Sequence, residues 1–276
     1  MKHAYVIGSP IAHSLSPVLH NSAYRETDLD YEFMRQEVTE HDLEQFMSQL
    51  SEEVIGLAVT MPLKQRIIPL LDVVEPLAQA VGAVNTVVPS GRVLAGFNTD
   101  VYGIVEALRE SGSADERPEA VILGARATAS SALAALGELH VGATTVIARS
   151  FAGPGSITLA EARLGVSTTH LPWRDTERAI STLERADIIV STLPAGIADH
   201  WAELFTPRSD ALILDAAYDP WPSKLAQKAT SAGAQAVPGS LMLLHQARRQ
   251  FELMTGHEAP TATMRNALYE VLHPHA

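Results

Sequence analysis

Short runs rich in valine and isoleucine alternate with amphipathic helical stretches along this whole chain, and no other feature narrows its fold as much. A strand feeding a helix feeding a further strand is the unit of a mostly parallel sheet covered by helices, so the class is α/β. In the first third, strands are expected at "HAYVIGSP", "YEFMRQEV", "IGLAVTM", "NTVVPSG" and "RVLAGFN". Ser16 and Pro17 suit the N-cap and first position of a helix through "VLHNSAYRET", and "TEHD", Thr39 to Asp42, has the form of a capping box. A helix from about Val101 to Ser111 runs into the polar "GSADERPE", the best composition break in the chain.

Beyond that break the alternation becomes regular. Strands are expected at "AVILGA", "TTVIARS", "DIIVSTLP", "ALILDAAY" and "AQAVPG", with a helix at "TASSALAALGEL" and helical segments between the rest. That is the layout of a doubly wound nucleotide-binding domain. At 276 residues the chain suits two domains with a core each. "SFAGPGS", Phe151 to Ser156, reads as a loop. The last segments, "SLMLLHQARRQFELMTG" and "TATMRNALYEVL", have helical spacing, and spacing alone leaves open which domain they finish.

Composition removes several functions. The formal charge of −12, from 20 basic and 32 acidic residues, offers no cationic footprint for nucleic acid. Cysteine is absent, so disulfides and thiolate metal sites are excluded, and the eleven histidines have no metal-ligand spacing. No apolar run approaches the roughly 18 to 20 residues of a membrane span. The N-terminus lacks the order of a secretory signal. A soluble, cytoplasmic protein acting on small molecules is expected, without a metal, as a monomer or homodimer.

Three strand ends in the first domain carry polar groups. "GSPIAHSLSP" brings Ser14 and Ser16 two residues apart, although serines before a proline also serve as turn and cap residues. In "AVTMPLK" the strand ends at Thr60, Pro62 opens a helix, and Lys64 lies in its first turn, where a cation opposes the macrodipole. Partial burial there would suit that lysine to proton transfer. "GAVNTVV" and "GFNTDVYG" add Asn85, Asn98, Thr99 and Asp100, the last equally suited to capping a helix. Amide, hydroxyl, ammonium and carboxylate groups at neighbouring strand ends are what a polyhydroxylated ligand requires.

The second domain opens on "VILGARATASSA", where Gly124 and Ala129 fit the first and third places of the dinucleotide fingerprint and Arg126 stands in the second. A guanidinium there can turn outward and meet a cofactor phosphate. About 20 residues on, where an NAD site places an acid on the ribose, the strand ends instead in Arg149 and Ser150, which suits a 2′-phosphate.

Taken together, "VIGSPIAHSLSPVLHN", "VTMPLK", "GAVNT", "GFNTD", "DAAYDP" and "GSLMLLHQARRQFELMTG" resemble the shikimate dehydrogenase family, in its order and approximate spacing over nearly the whole length. The resemblance implies a substrate domain over residues 1–102, completed by helices in 239–276, and an NADP domain over 103–238, with the active-site cleft between them. It implies reversible reduction of 3-dehydroshikimate to shikimate with NADP, in aromatic amino-acid biosynthesis. Ser14 and Ser16 would hold the substrate carboxylate, Thr60, Asn85 and Gln246 the ring hydroxyls or carboxylate, and Tyr218 would approach from the cofactor domain. Lys64 and Asp100 match the catalytic pair. Gly124, Ala125, Arg126, Ala127, Arg149, Ser150, Thr192, Gly239 and Met242 would contact NADP. Three departures stand out. The pattern "NVTxPxK" begins with asparagine where this chain has Ala58, which keeps quinate or another cyclohexane carboxylate open as substrate. The "NRT"-like triplet becomes "ARS", which keeps the arginine and a hydroxyl and loses the asparagine; and Arg126 in the glycine turn leaves a non-catalytic NADP- or ligand-binding homologue as the other alternative.

Overall fold

The computed structural model describes residues 1–112, 117–153 and 155–273. Ser113 to Glu116 of the expected break, Pro154 of the expected loop and the last three residues lie outside the described residues. By its internal contacts the chain divides into two units, Met1–Thr99 with Leu243–Ala276, and Asp100–Met242.

The first unit is built on β1 (Lys2–Gly8), α1 (Ser16–Glu26), β2 (Tyr31–Glu37), α2 (Leu43–Ser48), β3 (Val54–Val59), β4 (Val73–Val74), α3 (Pro76–Val81), β5 (Thr86–Ser90) and β6 (Val93–Phe97). Its sheet has the order β2-β1-β3-β5-β6-β4. β1 pairs in parallel with β2 and β3, whereas β5 runs antiparallel to both β3 and β6. One core packs Ile7, Leu57, Val59, Leu63, Ile67, Val84 and Val87 together, each nearly or fully buried. Burying a side chain of this size contributes roughly 1.5–3 kcal/mol.

α4 (Thr99–Ser111), which starts on Thr99 of the first unit, leads in the second unit to β7 (Glu119–Leu123), α5 (Ala127–Glu138), β8 (Ala143–Ala148), α6 (Ile157–Leu164), β9 (Thr169–Pro172) and α7 (Thr176–Arg185). β10 (Ile188–Ser191), α8 (Asp199–Leu204), β11 (Leu212–Asp215), α9 (Lys224–Ser231) and β12 (Gln235–Pro238) complete it. All six strands are parallel, in the order β12-β11-β10-β7-β8-β9. Read from the other edge, this is the doubly wound order that the strand-helix alternation implied, and it reverses direction between β7 and β10. The final helices are α10 (Gly239–Thr255), which begins in the second unit and ends in the first, and α11 (Thr261–Leu272), which packs on α1.

Several local expectations are corrected. The N-cap of α1 is Leu15, whose carbonyl accepts the Leu19 N–H at 3.3 Å, so Ser16 and Pro17 are the first two helical residues, and the Ser14 hydroxyl accepts the Ser16 N–H at 3.4 Å. "TEHD" is not a capping box: the Thr39 hydroxyl donates to Asp42 Oδ2 at 2.6 Å, and the helix starts only at Leu43. Pro62 opens no α-helix. Residues 61–67 form successive turns that end in a short 3-10 helix, Ile68–Leu70. The Lys64 carbonyl is drawn to the Val84 N–H at 2.7 Å rather than to a helical partner, so no macrodipole acts on this lysine. Asp100 lies inside α4, which begins at Thr99, and is not its N-cap. β4 and β9 were not expected. They are edge strands of two and four residues, too short to show a period.

Candidate active site

In the first unit the polar groups gather where β1, β3 and the start of β5 meet. Gly8 ends β1, and a Cβ on it would stand 2.5 Å from Thr60 Cγ2 and 2.6 Å from the Met61 carbonyl, so a glycine lets the two strand ends close together. The Thr60 N–H donates to the Ile7 carbonyl at 2.9 Å and the Val59 N–H to the Asn85 carbonyl at 2.7 Å. Past Gly8 the chain turns through Ser14, whose hydroxyl donates to Ser16 Oγ at 3.3 Å. Arg35 on β2 holds this turn, its Nε and Nη2 donating to the Ser14 carbonyl at 2.9 and 2.6 Å.

Asn85, 1% exposed, is the hub of the site. Its Oδ1 accepts the Thr99 N–H at 2.7 Å and the Thr86 hydroxyl at 2.9 Å. Its Nδ2 donates to Thr99 Oγ1 at 3.0 Å and to Gln246 Oε1 at 3.3 Å. Two of the expected ligand-binding residues, Asn85 and Gln246, are therefore brought together from positions 161 residues apart. Lys64 is half-buried, and its own carbonyl accepts the Val84 N–H two residues before β5. Asn98, at the end of β6, donates from Nδ2 to the Ala83 carbonyl at 2.9 Å and is a structural brace. Behind Asn85 lies a residue that sequence reasoning missed, Gln250, whose signal was its place one helical turn after Gln246. It bonds the fully buried His20, which stacks on Phe33 at 4.2 Å. Burial pushes the His20 imidazole down to about 4, and the Gln250 bond offsets only part of that.

In the second unit the sheet reverses its order beside the turn after β7, and the groups there line a cavity of about 510 Å³. Gly124 has φ +109°, and a Cβ on it would stand 2.4 Å from Thr192 Oγ1. Thr192, just past β10, is pinned in turn: its hydroxyl donates to the Leu123 carbonyl at 2.8 Å. Ala125 and Arg126 continue the wall, and Ala127 is the first residue of α5. Arg126 has φ −112°, an extended conformation open to any side chain, so only the first place of the fingerprint demands glycine for its backbone. The exposed Arg126 side chain reaches towards the loop after β8, its Nη1 lying 3.6 Å from where a Cβ on Gly153 would be. Arg149 and Ser150, at the end of β8, line the same cavity. Trp173, just past the unexpected β9, forms a further wall, set edge-on to the buried Trp201 at 5.0 Å.

The remaining expected residues sit elsewhere in this unit. Tyr218 follows β11 and is half-buried. Gly239 and Met242, both buried, lie in the first turn of α10. Asp215, at the end of β11, accepts the Ser223 hydroxyl at 2.7 Å, and Ser223 caps α9; burial raises the Asp215 carboxyl above the ordinary range. Among the described residues no group of acidic or histidine side chains could hold a metal ion, and no helix is long and apolar enough to cross a membrane.

A parallel sheet of this order, with a cavity bearing two arginines at its switch point, defines the dinucleotide-binding class of α/β proteins. Comparison with known proteins narrows the class. The family described as shikimate dehydrogenase substrate binding domain matches residues 6–87, and that described as shikimate 5′-dehydrogenase C-terminal domain matches 239–269. The shikimate dehydrogenase (NADP(+)) of Methanopyrus kandleri is 35% identical over 97% of this chain and 94% of its own. Among solved structures, the shikimate dehydrogenase of Mycobacterium tuberculosis is similar at 36% identity and a TM-score of 0.85, over 98% of this chain and 100% of that one. The Thermus thermophilus enzyme, solved with NADP(H) and shikimate, has 28% identity and a TM-score of 0.85, over 99% of this chain and 100% of that one. The chain belongs to the shikimate dehydrogenase family.

Proposed function

We propose that this chain catalyses the reversible, NADP-dependent reduction of 3-dehydroshikimate to shikimate. The observation that carries the reading is the 35% identity, over 97% of the chain, to a shikimate dehydrogenase (NADP(+)). The geometry supports it. A cavity at the switch point whose turn is kept open by Gly124, and which presents Arg126 and Arg149, suits a phosphorylated dinucleotide. When bound, NADP supplies or takes the hydride. Residues 103–238 would hold it. Gly124, Ala125, Ala127 and Thr192 would border the diphosphate, Arg126 would pair with a phosphate oxygen, and Arg149 with Ser150 would take the 2′-phosphate. Trp173 offers a flat apolar wall for adenine, and Gly239 and Met242 would meet the nicotinamide end.

Residues 1–102, with the final helices, would hold the cyclohexane carboxylate. Ser14 and Ser16 present two hydroxyls to the carboxylate, and Thr60, Asn85 and Gln246 the donors and acceptors for the ring hydroxyls, with Tyr218 as a further contact. Lys64 would move the proton on the reacting oxygen and Asp100 would orient and tune that lysine. The reading is tested by following nicotinamide absorbance with shikimate and then quinate, each with NADP and NAD. Fast turnover of shikimate with NADP is expected; preference for quinate, or for NAD, would overturn the corresponding part. Lys64→Ala should lower kcat by about 10²–10⁴-fold with a far smaller change in shikimate affinity. A near-normal kcat would remove the lysine from the chemistry.

A further inference from the structure

Ala58 stands on β3 where the family pattern carries asparagine, so this face of the sheet lacks one amide. The register shows what lies beside the gap. Ala58 is directly opposite Thr86 of β5, and opposed residues of an antiparallel pair share a face with Cβ atoms about 4.5–5.5 Å apart. Onto that same residue α10 brings Gln250, 3% exposed. Its Nε2 donates to Thr86 Oγ1 at 3.0 Å and to the Asn85 carbonyl at 3.2 Å. With the amide nitrogen committed there, Gln250 Oε1 faces His20 Nε2 at 3.4 Å and accepts from it. Both ends of the side chain are thus engaged, and a flip of the amide would turn its oxygen onto the Asn85 carbonyl, which can only accept.

The consequence passes on through Thr86. Its hydroxyl, accepting from Gln250, donates to Asn85 Oδ1 at 2.9 Å. Asn85 Oδ1 also takes the Thr99 N–H, so the Asn85 amide has one orientation, with Nδ2 towards Thr99 and Gln246. We propose that Gln250 is a positioning residue: it supplies from α10 the amide that the family pattern places at position 58, and so fixes the orientation in which Asn85 and Gln246 meet the substrate. This rests on the substrate reading above.

Two substitutions at position 250 separate positioning from packing. Gln250→Met keeps the volume and removes every hydrogen bond. It should raise the KM for shikimate about tenfold while kcat stays within about threefold and the KM for NADP is unchanged. Gln250→Ala should behave likewise, and adding Ala58→Asn should return the shikimate KM to within about threefold of the original protein. Ala58→Asn alone, with Gln250 present, sets two amides on Thr86 and should weaken shikimate binding. An unaltered shikimate KM in Gln250→Met, or no recovery in the double variant, would overturn the proposal. Should the unaltered protein fail to oxidise shikimate, the substrate reading falls by itself. The positioning is then read from the Asn85 side-chain amide signals in ¹⁵N-labelled protein, which should shift or broaden in Gln250→Met and return in the double variant; unmoved signals would overturn it.

Discussion

His20 shows how a single buried residue contributes to the response of this protein to acid. The unfolded chain takes a proton on this histidine near pH 6.5, whereas the folded chain does so only at about 4. Protonation therefore favours the unfolded state, and stability is lost as pH falls from about 6.5 to about 4, by up to about 3 kcal/mol from this group. In His20→Leu that part of the pH dependence should vanish from denaturant midpoints measured across this window; an unchanged slope would refute the assignment. Arg149 and Arg126 act at the same scale. A charge-assisted bond to phosphate contributes about 1.5–3 kcal/mol. Arg149→Ala should thus weaken NADP binding about tenfold or more and leave NAD nearly unaffected. Arg126→Gly should weaken both, with a smaller dependence on salt. Calorimetric titration of each variant with both cofactors at two ionic strengths checks this.

At the scale of elements, the turn from β7 to α5 carries the most consequence. Gly124 combines φ +109° with a close approach to Thr192, which is itself tied to the Leu123 carbonyl. Gly124→Ala should cost about 1–3 kcal/mol in stability and more than tenfold in NADP affinity, read by thermal unfolding with and without NADP. A variant with wild-type affinity would show that the turn adapts. The same turn illustrates what was legible in the sequence. The strand, the glycine and the helix were all plain, because local backbone chemistry writes them. The tolerance of Arg126 was not, since it depends on a φ of −112° that no residue type announces. β9 went unseen because four residues at a sheet edge carry no period, and Trp173 went with it. Lys64 was found by its motif but misplaced on a helix, because the bond from Val84 that redirects its carbonyl comes from a distant segment.

For the whole molecule, each unit has a core of its own, one around Ile7, Leu57 and Val87 and another around Val121, Ile189 and Trp201. Ligands of different chemistry should therefore protect different parts of the chain. In hydrogen exchange, NADP should give its largest protection within 100–242, at the ends of β7, β8 and β10, and shikimate within 1–99 and 243–273, around Ser14, Asn85 and Gln246. The reverse pattern would exchange the roles of the units. The sequence by itself determined the α/β class, the parallel second sheet, the polar strand ends and the arginine-bearing turn, because periodicity and turn chemistry are local properties. Only the tertiary structure decided that α11 packs on α1, that Gln246 and Gln250 reach Asn85 across more than 160 residues, and that Thr86 faces Ala58. Those are choices among buried partners, made when helices and strands far apart in the chain satisfy one another's amides away from water.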